Sequence, residues 1–433
     1  MKQLFPLLLL AAACGKKTPP VTAPPVEPTA PGGAAATADS PATDKPAALS
    51  SYAQTPGEPG RSAIEGEDID AILAWTNRPY AASSYRVAEA TGADAAMVDR
   101  MRDVLQFVNG GDLAGADEAV RFYAKDYAGT GMPETARVAV SVARAALEPT
   151  GARWDEVRAA ATAAEKALES AIAKPGAESL ERGALAGVIA SAARADVEQG
   201  RWADALARAG RARAQVGRAR ALAPKFDDLA ALEAGIAWWT SLGAASGALG
   251  PEEADRRAEA VTALREAEKH ADLLGPTTTL LLMHALVHDG AARDARDRGL
   301  RFKRLYPNGS LNALLLAEAM IGTRQTGEAA ELLRSVEGAA PVPAAVLRGT
   351  LKLRAGDLDA AEKALAPVAE RADLAARTRA TALARLARVE HRRGKDRKAI
   401  TLLEQANAAA PTLEATALKT RLASGAGEES EAK

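Results

Sequence analysis

Residues Pro276–Pro307 read PTTTLLLMHALVHDGAARDARDRGLRFKRLYP, and Asn308–Pro341 read NGSLNALLLAEAMIGTRQTGEAAELLRSVEGAAP. The two strings can be laid one under the other. An alanine opens the second part of each, Ala295 and Ala329, and two further copies follow with Ala361 and Ala399. These alanines are spaced 34, 32 and 38 residues apart. Twelve residues after each comes a stop: Pro307, Pro341, Asp373 and Pro411. Five residues before each comes a turn: Gly290, Arg324, Gly356 and Gly394. Twelve residues before each comes a close-packing position: Met283, Ala317, Gly349 and Ala387. Arg324 and Asp373 depart from the glycine and proline of the other copies.

The marks describe a helical hairpin. Between them apolar residues recur at helical spacing, as in Leu332, Leu333, Val336 and Leu402, Leu403, Ala406. Glycine supplies the turn without a side-chain penalty, and proline ends one helix or starts the next. One such pair cannot bury its apolar face alone, so neighbours must stack. The pattern resembles the tetratricopeptide repeat, whose period is about 34. The resemblance implies an all-α fold, a right-handed α-solenoid of stacked helix-turn-helix hairpins. It also implies a concave surface built from the first helix of each pair.

Length and composition agree with a long array. At 433 residues the chain has room for two or three ordinary domains or one run of repeats. Aromatic residues make up only 4% against 48% hydrophobic, which suits alanine-rich, closely packed helices and argues against a β-sandwich. A formal net charge of −1 removes any whole-protein electrostatic case for nucleic acid. The single cysteine excludes an internal disulfide framework.

That cysteine has another place. Lys2, the apolar run Leu4–Leu10 and Ala11-Ala12-Ala13 form a secretory signal over residues 1–13. The run Leu10-Ala11-Ala12-Ala13-Cys14 resembles the bacterial lipoprotein lipobox, with Ala11 where leucine is commoner. The resemblance implies that Cys14 becomes the lipid-modified N-terminus. Acyl chains such as palmitate contribute roughly 0.8 kcal/mol per buried methylene, so several would hold the protein at a membrane. Gly15 is not the aspartate that favours inner-membrane retention in the enterobacterial scheme, so the expected address is the outer membrane. Residues 14–65 are a proline- and alanine-rich tether that lacks the apolar residues to fold.

Residues 66–275 read as diverged hairpins. After a short helix at Ile69–Thr76, the pairs are Ala95–Val108 with the stripe Ala116, Val120, Tyr123; then Pro133–Ala146 with Trp154–Ile172. They continue with Leu180–Val197 and Trp202–Leu222, then Leu229–Leu242 and Pro251–Leu274. Gly243–Gly250 is a small-residue loop, and Trp238-Trp239 is the largest aromatic concentration. The array spans 276–411, and 412–433 holds a capping helix, Thr412–Leu422, and an acidic tail.

No glycine-rich phosphate loop or Gly-x-Ser-x-Gly elbow appears, and no enzyme is expected. His284 and His288 lie at i and i+4, a spacing that can share zinc, but Ala285 stands where a zincin needs glutamate. No metal or cofactor is therefore assigned. In the tetratricopeptide family the inner surface is lined from the first helices. Positions six, three and two before each turn place His284, His288, Glu318, Arg354, Arg388, His391 and Arg392 there. This set is a candidate basic patch for an acidic segment of a partner protein or an anionic polymer. The function expected from anchor, tether and repeats is an envelope scaffold for an assembly or secretion machine. The rivals are a regulator of cell-wall synthesis and a solute-binding helical lipoprotein of a transporter.

Overall fold

The computed structural model describes residues 80–173, 179–243 and 252–423. The signal, Cys14, the tether, the helix expected at Ile69–Thr76, the loop after Gly243 and the acidic tail lie outside the described residues. Eighteen helices are present among the described residues. A leading helix, α1 (Tyr80–Thr91), precedes four hairpins: α2/α3 (Ala95–Gly110, Leu113–Asp126), α4/α5 (Met132–Leu147, Gly151–Ile172), α6/α7 (Ser179–Glu198, Trp202–Leu222) and α8/α9 (Asp228–Ser241, Glu252–His270). Four more follow: α10/α11 (Gly275–His288, Ala292–Leu305), α12/α13 (Ser310–Gly322, Thr326–Ser335), α14/α15 (Pro341–Arg354, Leu358–Glu370) and α16/α17 (Ala376–Arg392, Asp396–Ala409). The trailing helix is α18 (Leu413–Ala423). The chain is an all-α solenoid of tetratricopeptide-like hairpins.

The repeat register survives in atomic detail. Ala295, Ala329, Ala361 and Ala399 are fully buried, as are Met283, Ala317 and Ala387. A Cβ added to Gly349 would come within 2.4 Å of Leu365, so that position is glycine because the outer helix touches its backbone. Gly290, Gly356 and Gly394 hold φ of 84°, 78° and 74°, and Arg324 takes the same left-handed conformation at 66°. Each turn closes with one backbone bond: Ala291 to Leu286, Gln325 to Met320, Asp357 to Lys352, Lys395 to Glu390. This six-to-one bond satisfies a helix-end carbonyl. The first half repeats it at Asp112 to Phe107 and Arg201 to Asp196, behind Gly111 and Gly200.

One helix, α1, adds to those the sequence predicts, and one predicted boundary changes. The helix expected to run to Leu274 stops at His270. Buried Asp228, at the start of α8, accepts hydrogen bonds from the backbone of Asp272, Leu273 and Leu274 at 2.9, 3.2 and 3.0 Å. Those donors would otherwise lie unpaired ahead of α10, and the carboxylate holds them as a turn.

First and second helices differ in burial. The second helix α11 buries a single stripe, Ala295, Arg298, Gly299 and Phe302. The first helix α6 buries every residue from Leu180 to Glu198 except Arg182. First helices pack on the next first helix along the chain, making an inner layer within an outer layer of second helices. The inner layer also meets itself across the molecule: α2 and α4 touch α12, α4 touches α14, and α6 touches α16. Loops seal this closure. Gly151 N–H donates to Asp373 O at 2.8 Å, Ala375 N–H donates to Pro149 O at 2.9 Å, and Thr150 bridges Leu374. Further along, Gly309 stands so close to Asn109 O that a Cβ would reach it at 2.7 Å.

Candidate binding site on the inner helices

The inner layer carries two groups of polar side chains. One runs from α10 through α8 and α6 to α16. Trp238 and Trp239 are 0% and 4% exposed. Neighbours on a helix point about 100° apart, and α8 is flanked by α6, α7, α9 and α10, so both directions are interior. Trp238 Nε1–H donates to His284 Nδ1 at 3.1 Å. That bond makes Nδ1 the acceptor of the ring. Trp239 lies against the other side of His284, with centroids 5.3 Å apart, and His288 meets His284 edge-on at 4.5 Å. The two histidines therefore join an aromatic stack. Among the described residues no group of three or more His, Cys, Asp or Glu converges as metal ligands would.

Beyond Trp239 lies a cluster that sequence reasoning missed. Arg194 and Glu198 of α6 and Arg377 of α16 are all 0% exposed. Arg194 sits over Trp239 and Trp154, 4.3 and 5.0 Å from their ring centroids, and Arg377 lies 5.6 Å from that of Trp202. Burial pulls the Arg194 guanidinium down to about 9, against the attraction of Glu198, and pushes the Glu198 carboxyl up. The signal available in sequence was the string Leu185–Glu198. It reads apolar all round, then sets Arg194, Asp196 and Glu198 in its last turns. A helix apolar on every face is buried on every face, and charges on it must find company inside. Asp196 finds it locally, with Arg201, Arg208 and Arg158 at 3.0, 2.8 and 3.9 Å.

The second group runs along α12, α14, α16 and α18 and holds the rest of the candidate patch. Glu318 of α12 is 6% exposed, and burial pushes its carboxyl up to about 7 against the pull of Arg385 and Arg354. Arg354 donates to Ile321 O at 2.9 Å, and Arg392 donates to Leu353 O at 2.7 Å. Each thus meets the C-terminal carbonyls of the preceding inner helix, where a cation is favoured. Arg388 is half-buried beside Glu414 of α18 at 3.4 Å, and Arg385 reaches Thr350 of α14. His391 pairs with Asp396 at 2.6 Å, across the hairpin turn. Glu318, Arg354, Arg388 and Arg392 are thus brought onto one track. His284 and His288 belong to the aromatic stack, and His391 to the turn.

No protein-family profile matches the chain, and no curated relative does. Among solved structures the chain is similar to a thermophilic TPR protein of Thermus thermophilus, with 21% identity over 42% of this chain and 96% of that one, at a TM-score of 0.34. It is similar to yeast Tom70, with 12% identity over 82% and 94% of the two chains and a TM-score of 0.36. A human IFIT1 dimer with m7Gppp-AAAA aligns at 12% identity over 74% and 84%, with a TM-score of 0.44. At identities and TM-scores this low the architecture is read from the helices themselves, and the likenesses say nothing of a ligand.

Proposed function

We propose that this chain is a lipid-anchored scaffold of a bacterial envelope, held at the outer membrane through Cys14 and facing the periplasm. It acts by binding, not by catalysis. The observation that carries this reading is the track of Arg354, Arg385, Arg388 and Arg392 across successive inner helices, against two acids, Glu318 and Glu414. A surplus of guanidinium groups on a rigid inner face suits an acidic segment of a partner, because arginine forks carboxylates bidentately. Glu414 of α18 already sits beside Arg388 in the way such a partner's carboxylate would. The tether would let that face work away from the membrane, in an envelope assembly or secretion machine.

The test is photo-crosslinking in cells, with the anchor intact. A crosslinking side chain at Arg388 should capture one envelope protein, and one at Lys363, exposed on the outer helix α15, should not. Equal capture from both positions, or none from Arg388 in a correctly localised protein, overturns the scaffold. The enclosure of Trp238 and Trp239 favours a second reading, a solute-binding lipoprotein serving a transporter. Under that reading no protein is captured from either position.

A further inference from the structure

The cluster behind Trp239 has too many donors for its acceptors. Arg194 Nε lies 3.8 Å from Glu198 Oε1, and Arg377 Nε lies 3.9 Å from Glu198 Oε2. These are ion-pair distances and fall outside hydrogen-bond reach. All three nitrogens of both guanidinium groups and both oxygens of Glu198 are buried without a hydrogen bond. The indole nitrogens of Trp154, Trp202 and Trp239, whose rings line the cluster, are also buried and unbonded. Each guanidinium carries five N–H groups and each indole one, while the single carboxylate is the only acceptor side chain among them. The formal charge of the three ionised residues is +1.

An unpaired buried donor costs free energy, and an unbalanced buried charge costs more. Water brings lone pairs but no charge. The group that answers both deficits is an oxyanion, with several acceptor atoms and a negative charge. The indole rings already flank the guanidinium groups and keep the surroundings apolar, which strengthens any charge-assisted bond made there. The cluster is also assembled by the closure of the solenoid, since Arg377 arrives from α16 and Glu198 from α6. We propose that Arg194, Arg377 and the indoles of Trp154, Trp202 and Trp239 form an interior oxyanion site, for the carboxylate or phosphate group of a ligand. Glu198 sets the charge of the site and limits it to one anion. This inference depends neither on the envelope address nor on partner capture at Arg388.

Three of the five tryptophans of the chain line the cluster, so their fluorescence reports on it. The purified chain is titrated with inorganic phosphate, sulfate and acetate at constant ionic strength, with chloride as the reference ion. A saturable change in tryptophan emission, with a rise in Tm, is expected from at least one oxyanion. Phosphate or sulfate acting without acetate points to a phosphate-type ligand, and acetate acting alone points to a carboxylate. Arg377→Gln is expected to weaken the response at least tenfold. Glu198→Gln keeps every donor and nearly the same shape, so it is expected to tighten binding about tenfold. No saturable response to any of the three anions overturns the proposal. So does a Glu198→Gln protein that binds no tighter than the parent. If Arg377→Gln does not fold, the Glu198→Gln result decides.

Discussion

A carboxylic acid shut away from water prefers its proton. Glu318 is in that position, with a folded-state pKa of about 7 set mainly by burial. The sign of the consequence follows from linkage. In the unfolded chain Glu318 ionises near the ordinary glutamate value of 4.5, while in the folded chain it stays protonated up to about pH 7. Across that window the folded state binds more protons, so this group makes the protein less stable as pH rises from about 4.5 to about 7. The full difference is about 3 kcal/mol at most. Glu318→Gln cannot titrate. Its stability advantage over the parent should therefore grow through the window and level off above it. Urea unfolding of both proteins at several pH values reads this directly, and parallel stability curves would refute it. At this scale the sequence spoke clearly where chemistry was local. The histidine pair at i and i+4 was visible as a motif. Glu318 was placed on an inner helix, but not its enclosure, because burial comes from helices far away in sequence.

The hairpin turns show what an element can reveal. Glycine at the turn predicts a left-handed residue, and Gly290, Gly356 and Gly394 supply it. Arg324 breaks the pattern in composition but not in shape: the packing of α12 against α13 requires the turn, and the exposed arginine accepts φ 66°. A non-glycine residue in that region costs roughly 1–2 kcal/mol. Arg324→Gly is therefore expected to raise stability by about 1 kcal/mol, part of the gain being lost to the freer unfolded chain. A denaturant midpoint that falls would show the turn to be unstrained. Most hairpin elements were legible because alanine, glycine and proline mark them within a few residues of one another. The end of α9 was not, because Asp228, on the preceding helix, sets it. The helix α1 lacked any repeat to align it with.

The contact of the solenoid's inner helices with one another across the array left almost no trace in the sequence. It is made by backbone groups, Gly151 to Asp373 and Ala375 to Pro149, and any residue offers those. Only in hindsight does the missing proline at Asp373 mark the place where the two halves touch. The interior cluster was hidden for the same reason: Arg194 and Arg377 look unrelated until α6 meets α16. Glycine substitutions probe the closure. Gly309→Ala puts a Cβ against Asn109 O at 2.7 Å, so the end of α2 and the turn before α12 must separate, at a cost of roughly 1–3 kcal/mol. Gly327→Ala meets nothing within 4 Å inside α13 and should be neutral or stabilising by about 0.5–1 kcal/mol. Equal denaturation midpoints for Gly309→Ala and the parent would mean that the end of α2 and the turn before α12 do not touch in solution.

The meeting of Gly151 with Asp373 also constrains how the chain reaches its native state. In an open solenoid each repeat touches only its neighbours, so folding can nucleate anywhere and spread, and the ends can fray independently. Here residues more than half the chain length apart must be joined. That junction adds high contact order to a chain that would otherwise fold from near-neighbour contacts, so it is expected to form after the local hairpins and to slow folding relative to an open array. Once made, the junction ties the first hairpins to the last. The array should then lose its structure across the junction together and not repeat by repeat from an end, because α2, α4 and α6 are held against α12, α14 and α16.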